Sequence, residues 1–122
     1  MDIVISNSVN KPIYEQVYEQ IVSQVLSGEM GEGEMLPSIR NLASDIRVSV
    51  ITIKKAWEML EHDGFIFTRA GKGCFVADNA AADRQSKRQD MAKARLCSDL
   101  EYYKSLGLTQ EELIDLIKTL YK

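Results

Sequence analysis

Two helical patterns that stand only two residues apart constrain this chain more than anything else in it. The later one runs from Ser49 to Gly64, SVITIKKAWEMLEHDG. Its apolar residues Ile53, Ala56, Trp57 and Leu60 fall at the i, i+3, i+4, i+7 positions of a helix with one buried stripe. Ser49 stands where its hydroxyl caps a free backbone N–H, and Gly64 where a left-handed residue ends the last turn. The earlier pattern, LPSIRNLASDIRV, puts Ile39, Leu42, Ala43 and Ile46 on one face, with Pro37 as a start signal and Ser38 as a cap. Arg47 and Val48 alone lie between the two. That is too short for an independent connection and right for a helix-turn-helix.

The outward side of the second helix is the informative one. At about 100° per residue, Ile51, Lys55 and Glu58 point away from the stripe, with Thr52 and Lys54 on its flanks. A core helix has no need of a β-branched, hydroxyl and double-lysine cluster in its first turns. A helix whose N-terminal end enters a DNA groove does. Then comes FIFTRAGKGCFVA, in which Phe65, Phe67 and Phe75 favour strand and Ala70-Gly71-Lys72-Gly73 is a glycine-rich turn. Two strands with a basic tip make a wing.

These residues resemble the GntR family of bacterial transcription regulators. LPSIRNLASDIRVSVITIKKAWEMLEHDGFIFTRAGKGCFVAD follows that family's winged-helix signature without a gap, and NKPIYEQVYEQIVSQVLSGEM is similar to the first helix of its YtrA branch. The resemblance implies double-stranded DNA as the partner. It also implies DNA contacts for Arg40, Ser49, Thr52 and Lys54. Lys55 joins them on helical geometry alone. At the wing, glycines such as Gly71 meet a backbone need, whereas Lys72 exceeds it, and a lysine at a hairpin tip reaches a phosphate or the minor groove; Arg69 is placed to do the same. The chain departs from the family at two positions. Many members have arginine where Val50 stands and a small polar residue where Ile51 stands, so recognition here is expected to lean on thymine-methyl contacts, phosphate anchoring and DNA shape in place of guanine readout by a guanidinium.

At 122 residues there is room for one domain and a small appendage. A net charge of −3 argues against a nucleic-acid partner until it is divided along the chain. Residues 1–37 carry one Lys and six Asp/Glu, whereas residues 38–77 carry six Lys/Arg against four Asp/Glu. Attraction to phosphate follows this local distribution. Residues 1–9 read as a short extended segment with Ile3 and Ile5 alternating with other residues. Pro12 to Leu26 reads as an amphipathic helix with Tyr14, Val17, Tyr18, Ile21 and Val25 inward, ended by Gly28. The EMGEGEM stretch reads as a loop.

Residues 79–103 read as a long, partly exposed helix with a hinge near Asp78–Asn79. LGLTQEELIDLIKTLYK then begins a new one, with Gly107 as stop and Thr109–Glu112 as a capping box. Its apolar face, Leu113, Leu116, Ile117 and Leu120, finds little to cover it in so polar a neighbour. A second copy of the chain is the economical cover, and the alternative is that the tail folds back on its own winged helix. The expected fold is thus mainly α with a small β wing. A winged helix-turn-helix over 1–78 precedes a short C-terminal two-helix dimerisation tail over 79–122.

No stretch approaches ~18 consecutive apolar residues, and the N-terminus lacks a signal pattern, which predicts a cytoplasmic protein without a membrane partner. Cys74 and Cys97 read as reduced thiols, and His62 as a surface residue; neither a metal nor a cofactor is expected. No Ser/His/Asp or paired-carboxylate constellation suggests an enzyme, and no residue pattern specifies a small-molecule effector. The expected function is that of a dimeric regulator on a palindromic site, most simply a repressor. The competing reading is a winged helix that binds protein instead of DNA, with Val50 and Ile51 as its contact surface.

Overall fold

The computed structural model describes residues 1–78 and 81–122, and the side chains of all of these except 81–83. The expected hinge therefore falls partly outside the described residues, at Asn79. The chain divides into two compact units, Met1–Arg84 and Gln85–Lys122.

In the first unit, helix α1 spans Ile13–Ser27. Pro12 occupies its N-cap position, one residue earlier than a first-turn residue, and Gly28 closes it at φ 85°. Val17, Ile21, Val22, Val25 and Leu26 are buried. Tyr14 and Tyr18 are only half-buried, which corrects the expectation that both point into the core. A phenol needs a polar partner, so its ring lies on the rim of the core with the oxygen outward. Tyr18 packs edge-on against Phe65 with centroids 6.4 Å apart, and its hydroxyl donates to the Asp63 carboxylate. Burial first, and then that carboxylate, push the Tyr18 pKa well above the usual tyrosine value, so the hydroxyl remains a donor.

The other side of α1 carries three glutamines one turn apart. Gln24 donates to the Asp2 carbonyl at 2.8 Å. Gln20 donates to the Val4 carbonyl at 2.6 Å and accepts from the Val4 N–H at 2.9 Å. Gln16 pairs in the same two ways with Ser6, at 3.0 Å each, and also donates to the Lys11 carbonyl at 2.9 Å. Four helical residues rise about 6 Å, and two extended residues advance about 6.6 Å. Amides at i, i+4 and i+8 therefore match every second backbone unit of a segment running the opposite way. This gives the alternating N-terminus its place. Gln16→Ala removes three hydrogen bonds from a buried position and is expected to cost about 2 kcal/mol in urea unfolding, whereas Gln20→Ala, nearer solvent, costs about 1 kcal/mol or less. A Gln16→Ala variant as stable as the parent would contradict the ladder.

Helix α2 spans Ile39–Ile46, and helix α3 spans Val50–His62. Both start as the sequence predicts: Ser38 Oγ accepts from the Asn41 N–H and Ser49 Oγ from the Thr52 N–H, each at 3.1 Å. Gly64, at φ 80°, ends α3 in a Schellman arrangement, with the Phe65 N–H on the Leu60 carbonyl at 2.9 Å and the Gly64 N–H on the Glu61 carbonyl at 3.1 Å. The stripe Ile53, Ala56, Trp57 and Leu60 is buried, and α3 packs on α1, α2 and the strand that follows.

Strands β1, Ile66–Arg69, and β2, Gly73–Val76, pair antiparallel with Phe67 opposite Phe75, whose rings stack 5.6 Å apart. The EMGEGEM stretch is more than a loop. Residues 33–36 run along the free side of β2, with Gly33 N–H to Val76 O, Val76 N–H to Glu34 O and Leu36 N–H to Cys74 O, all 2.9 Å. Met35 forms an isolated bridge with Phe75. The wing thus has a third edge, which ties it to the start of α2.

Helix α4 spans Ala81–Ser105 and α5 spans Gln110–Leu120. Gly107, at φ 84°, turns the chain between them, and the Thr109–Glu112 capping box is complete. In the second unit, Leu96, Leu100, Tyr103, Leu113 and Ile117 help to line an open groove of about 540 Å³. No residue of α5 is buried. No described helix is long and apolar enough to cross a membrane.

Candidate nucleic-acid interface

The first two turns of α3 present Val50, 43% exposed, and Ile51, 79% exposed, with Lys54 also exposed and Thr52 half-buried. The stripe that buries Ile53 and Trp57 holds them there. Both hydroxyls are partly committed: Ser49 Oγ caps the helix and also lies 2.7 Å from Thr52 Oγ1. The positive end of the helix dipole lies at this same end and favours a phosphate.

Arg40, in the first turn of α2, and Lys72, at the wing, line one cleft of about 400 Å³ together with Ser38, Gly73, Cys74 and Trp57. Three local facts build this cleft. Ser38 fixes where α2 begins, residues 33–36 fasten the wing beside it, and Gly71 turns the tip. The Lys72 N–H closes that turn on the Arg69 carbonyl at 3.0 Å. Gly71 is third in the turn at φ 75°, which a side chain would oppose. Arg40 and Lys72, 32 residues apart in the chain, thus face the same space, and among the described residues neither forms an ion pair.

The other two predicted cations are already engaged. The Lys55 ammonium sits 4.0 Å from the centroid of the Tyr14 ring on α1, and the Arg69 guanidinium 5.5 Å from that of Phe67. Both side chains remain exposed, yet each is held by a ring of its own chain. Sequence reasoning passed over Arg47, which forms the turn between the two helices with φ 58° and ψ 50°. The signal was available: a two-residue link between helices needs a left-handed residue. Among the described residues, no group of three or more His, Cys, Asp or Glu could hold a metal, and Cys74 and Cys97 are both free thiols.

The arrangement offers cations and an exposed apolar helix tip. Comparison with known proteins agrees. Residues 13–76 match the model of the bacterial regulatory proteins of the gntR family. The chain is 33% identical over 116 residues to the HTH-type transcriptional repressor YtrA of Bacillus subtilis, covering 95% of this chain and 89% of that one. A solved structure titled transcriptional antiterminator, from Listeria monocytogenes, superposes with a TM-score of 0.81 at 32% identity, over 100% of this chain and 91% of that one. The DNA-binding domain of AraR, solved in complex with operator ORE1, gives a TM-score of 0.53 at 30% identity, over 63% of this chain and 94% of that one.

Proposed function

Because this chain belongs to the gntR family of bacterial regulatory proteins, with a winged helix-turn-helix as its first unit, we propose that it is a dimeric transcriptional repressor that occupies a palindromic DNA operator. The observation that carries this reading is the pairing of an exposed α3 tip with two cations, Arg40 and Lys72, that share one flanking cleft and form no ion pair among the described residues. In this reading residues 1–78 bind DNA and residues 79–122 dimerise. Val50 and Ile51 meet base edges in the major groove, Ser49, Thr52 and Lys54 lie along its walls, and Arg40 and Lys72 hold the two flanking phosphate tracks. Lys55 and Arg69 keep their rings and add charge close to the backbone. Two copies joined through Leu113, Leu116, Ile117 and Leu120 place two such tips on one duplex. Repression follows from occupying DNA that polymerase must use.

Salt titration tests the reading. A groove binder that neutralises several phosphates loses affinity linearly in log salt, by about 0.9 decade per decade of salt for each phosphate. A protein-interaction module that uses Val50 and Ile51 as a contact surface shows no such dependence on duplex DNA.

Base reading has its own signature. Neither Val50 nor Ile51 can donate or accept a hydrogen bond, so the thymine C5-methyl is the base-specific group open to them. Replacing thymines by uracil one at a time is expected to find at least one position in each half-site where affinity falls about fourfold, the worth of about 0.8 kcal/mol for one buried methyl-sized group. If no position responds, these two side chains do not read bases. Val50→Arg should shift the preference at the facing position toward guanine.

A further inference from the structure

We propose that Arg47 is a phosphate anchor built into the turn between α2 and α3, an inference that rests on the DNA-binding reading above. Arg47 is the one residue other than glycine with a positive φ among the described residues, at φ 58° and ψ 50°. The backbone requires this conformation. The Arg47 N–H bonds to the Ser44 carbonyl at 3.3 Å and the Val48 N–H to the Ala43 carbonyl at 3.0 Å, which closes α2 and frees Ser49 to cap α3. Glycine or asparagine fills such a position at lower cost than a long side chain.

Among the described residues, nothing uses the arginine. Its side chain is exposed and, among the described residues, makes no hydrogen bond or ion pair, although Asp45 stands two positions away. The strain of the left-handed turn thus supports a cation directed at solvent, two residues before the cap of the helix read as entering the groove. Arg40 on the helix before it and Lys54 on the helix after it are likewise exposed and, among the described residues, form no ion pair. A guanidinium on a closed turn is fixed at its root, so it meets a phosphate with less loss of freedom than one on a mobile loop. The anchor contributes affinity to any duplex and positions α3 along the groove. It carries no base preference of its own.

The test uses the full chain with Arg47→Asn, which keeps a residue tolerant of the turn and removes the charge, and with Arg47→Lys, which keeps the charge. Duplex affinity is measured across salt on operator and on random DNA, together with Tm. Arg47→Asn is expected to retain or raise Tm and to bind both duplexes about eightfold more weakly at 0.1 M salt, with the salt slope smaller by about 0.9, the worth of one released counter-ion. Arg47→Lys keeps the parental slope. An Arg47→Asn variant with parental affinity and slope overturns the inference while leaving DNA binding intact. Weaker binding with a lowered Tm and an unchanged slope assigns Arg47 to the fold and overturns it as well. A parent chain without salt-dependent duplex affinity overturns the DNA-binding reading itself, and this inference with it.

Discussion

Replacing Leu116 and Ile117 together by glutamate is expected to make the chain monomeric and to lower its affinity for a two-half-site duplex by about 10² to 10⁴-fold. Leu116 is 46% exposed and Ile117 56% exposed on a helix none of whose residues is buried. Exposed apolar side chains repeated at helical spacing, over an apolar groove, are expensive to leave in water. In the proposed dimer the second winged helix binds at a high effective concentration once the first is seated, which is the source of the stated factor. Two carboxylates cannot be buried there without cation partners, so association is lost. Because both positions are exposed, the first unit should unfold at its parental temperature, and affinity for a single half-site should hold. Sedimentation that still finds a dimer in the double variant would contradict the assignment of α5.

The second large effect separates two isoleucines that stand two residues apart. Ile53→Ala is expected to cost about 3 kcal/mol, within the usual span for removing a buried isoleucine side chain down to its β-carbon. Ile53 is 0% exposed, at the centre of the stripe through which α3 packs on its neighbours. For a domain of this size the loss lowers Tm by roughly 15 °C and is a large share of a total stability of about 5–10 kcal/mol. Ile51→Ala, at a position 79% exposed, should stay within about 0.5 kcal/mol of the parent and change DNA preference instead. Thermal unfolding of the two variants decides the matter. Equal destabilisation would mean that the buried phase of α3 is wrongly assigned.

That phase was legible because it depends on short-range chemistry. Apolar residues at helical spacing, Ser38 and Ser49 as caps, Gly28, Gly64 and Gly107 as left-handed stops and the Thr109–Glu112 box each act within a few residues of themselves. What escaped depends on partners distant in sequence. Residues 33–36 join the wing through backbone hydrogen bonds, and a backbone hydrogen bond leaves no mark on residue type. Gln16, Gln20 and Gln24 look like a solvated face until an extended segment of matching rise is laid beside them. Tyr14 and Tyr18 fit the apolar rhythm, but their hydroxyls stop them at the rim. At the interface, the exposure of Ile51 followed from the stripe opposite, and that of Lys54 from its place on the flank, whereas Val50, 43% exposed, lies on the stripe's own side and is left uncovered only because it stands at the helix's first residue. The sharing of one cleft by Arg40 and Lys72 needed the fold, as did the rings under Lys55 and Arg69.

Selection of duplexes from a random pool by the full chain, followed by counting the chains bound to each selected duplex, decides whether the protein reads DNA as a pair of winged helices. The expected result is an inverted repeat of A·T-rich half-sites, about 10 base pairs from centre to centre or a multiple of that, with two chains per duplex. Recovery of duplexes with no shared repeat, or binding that stays equally tight from low to high salt, would contradict it.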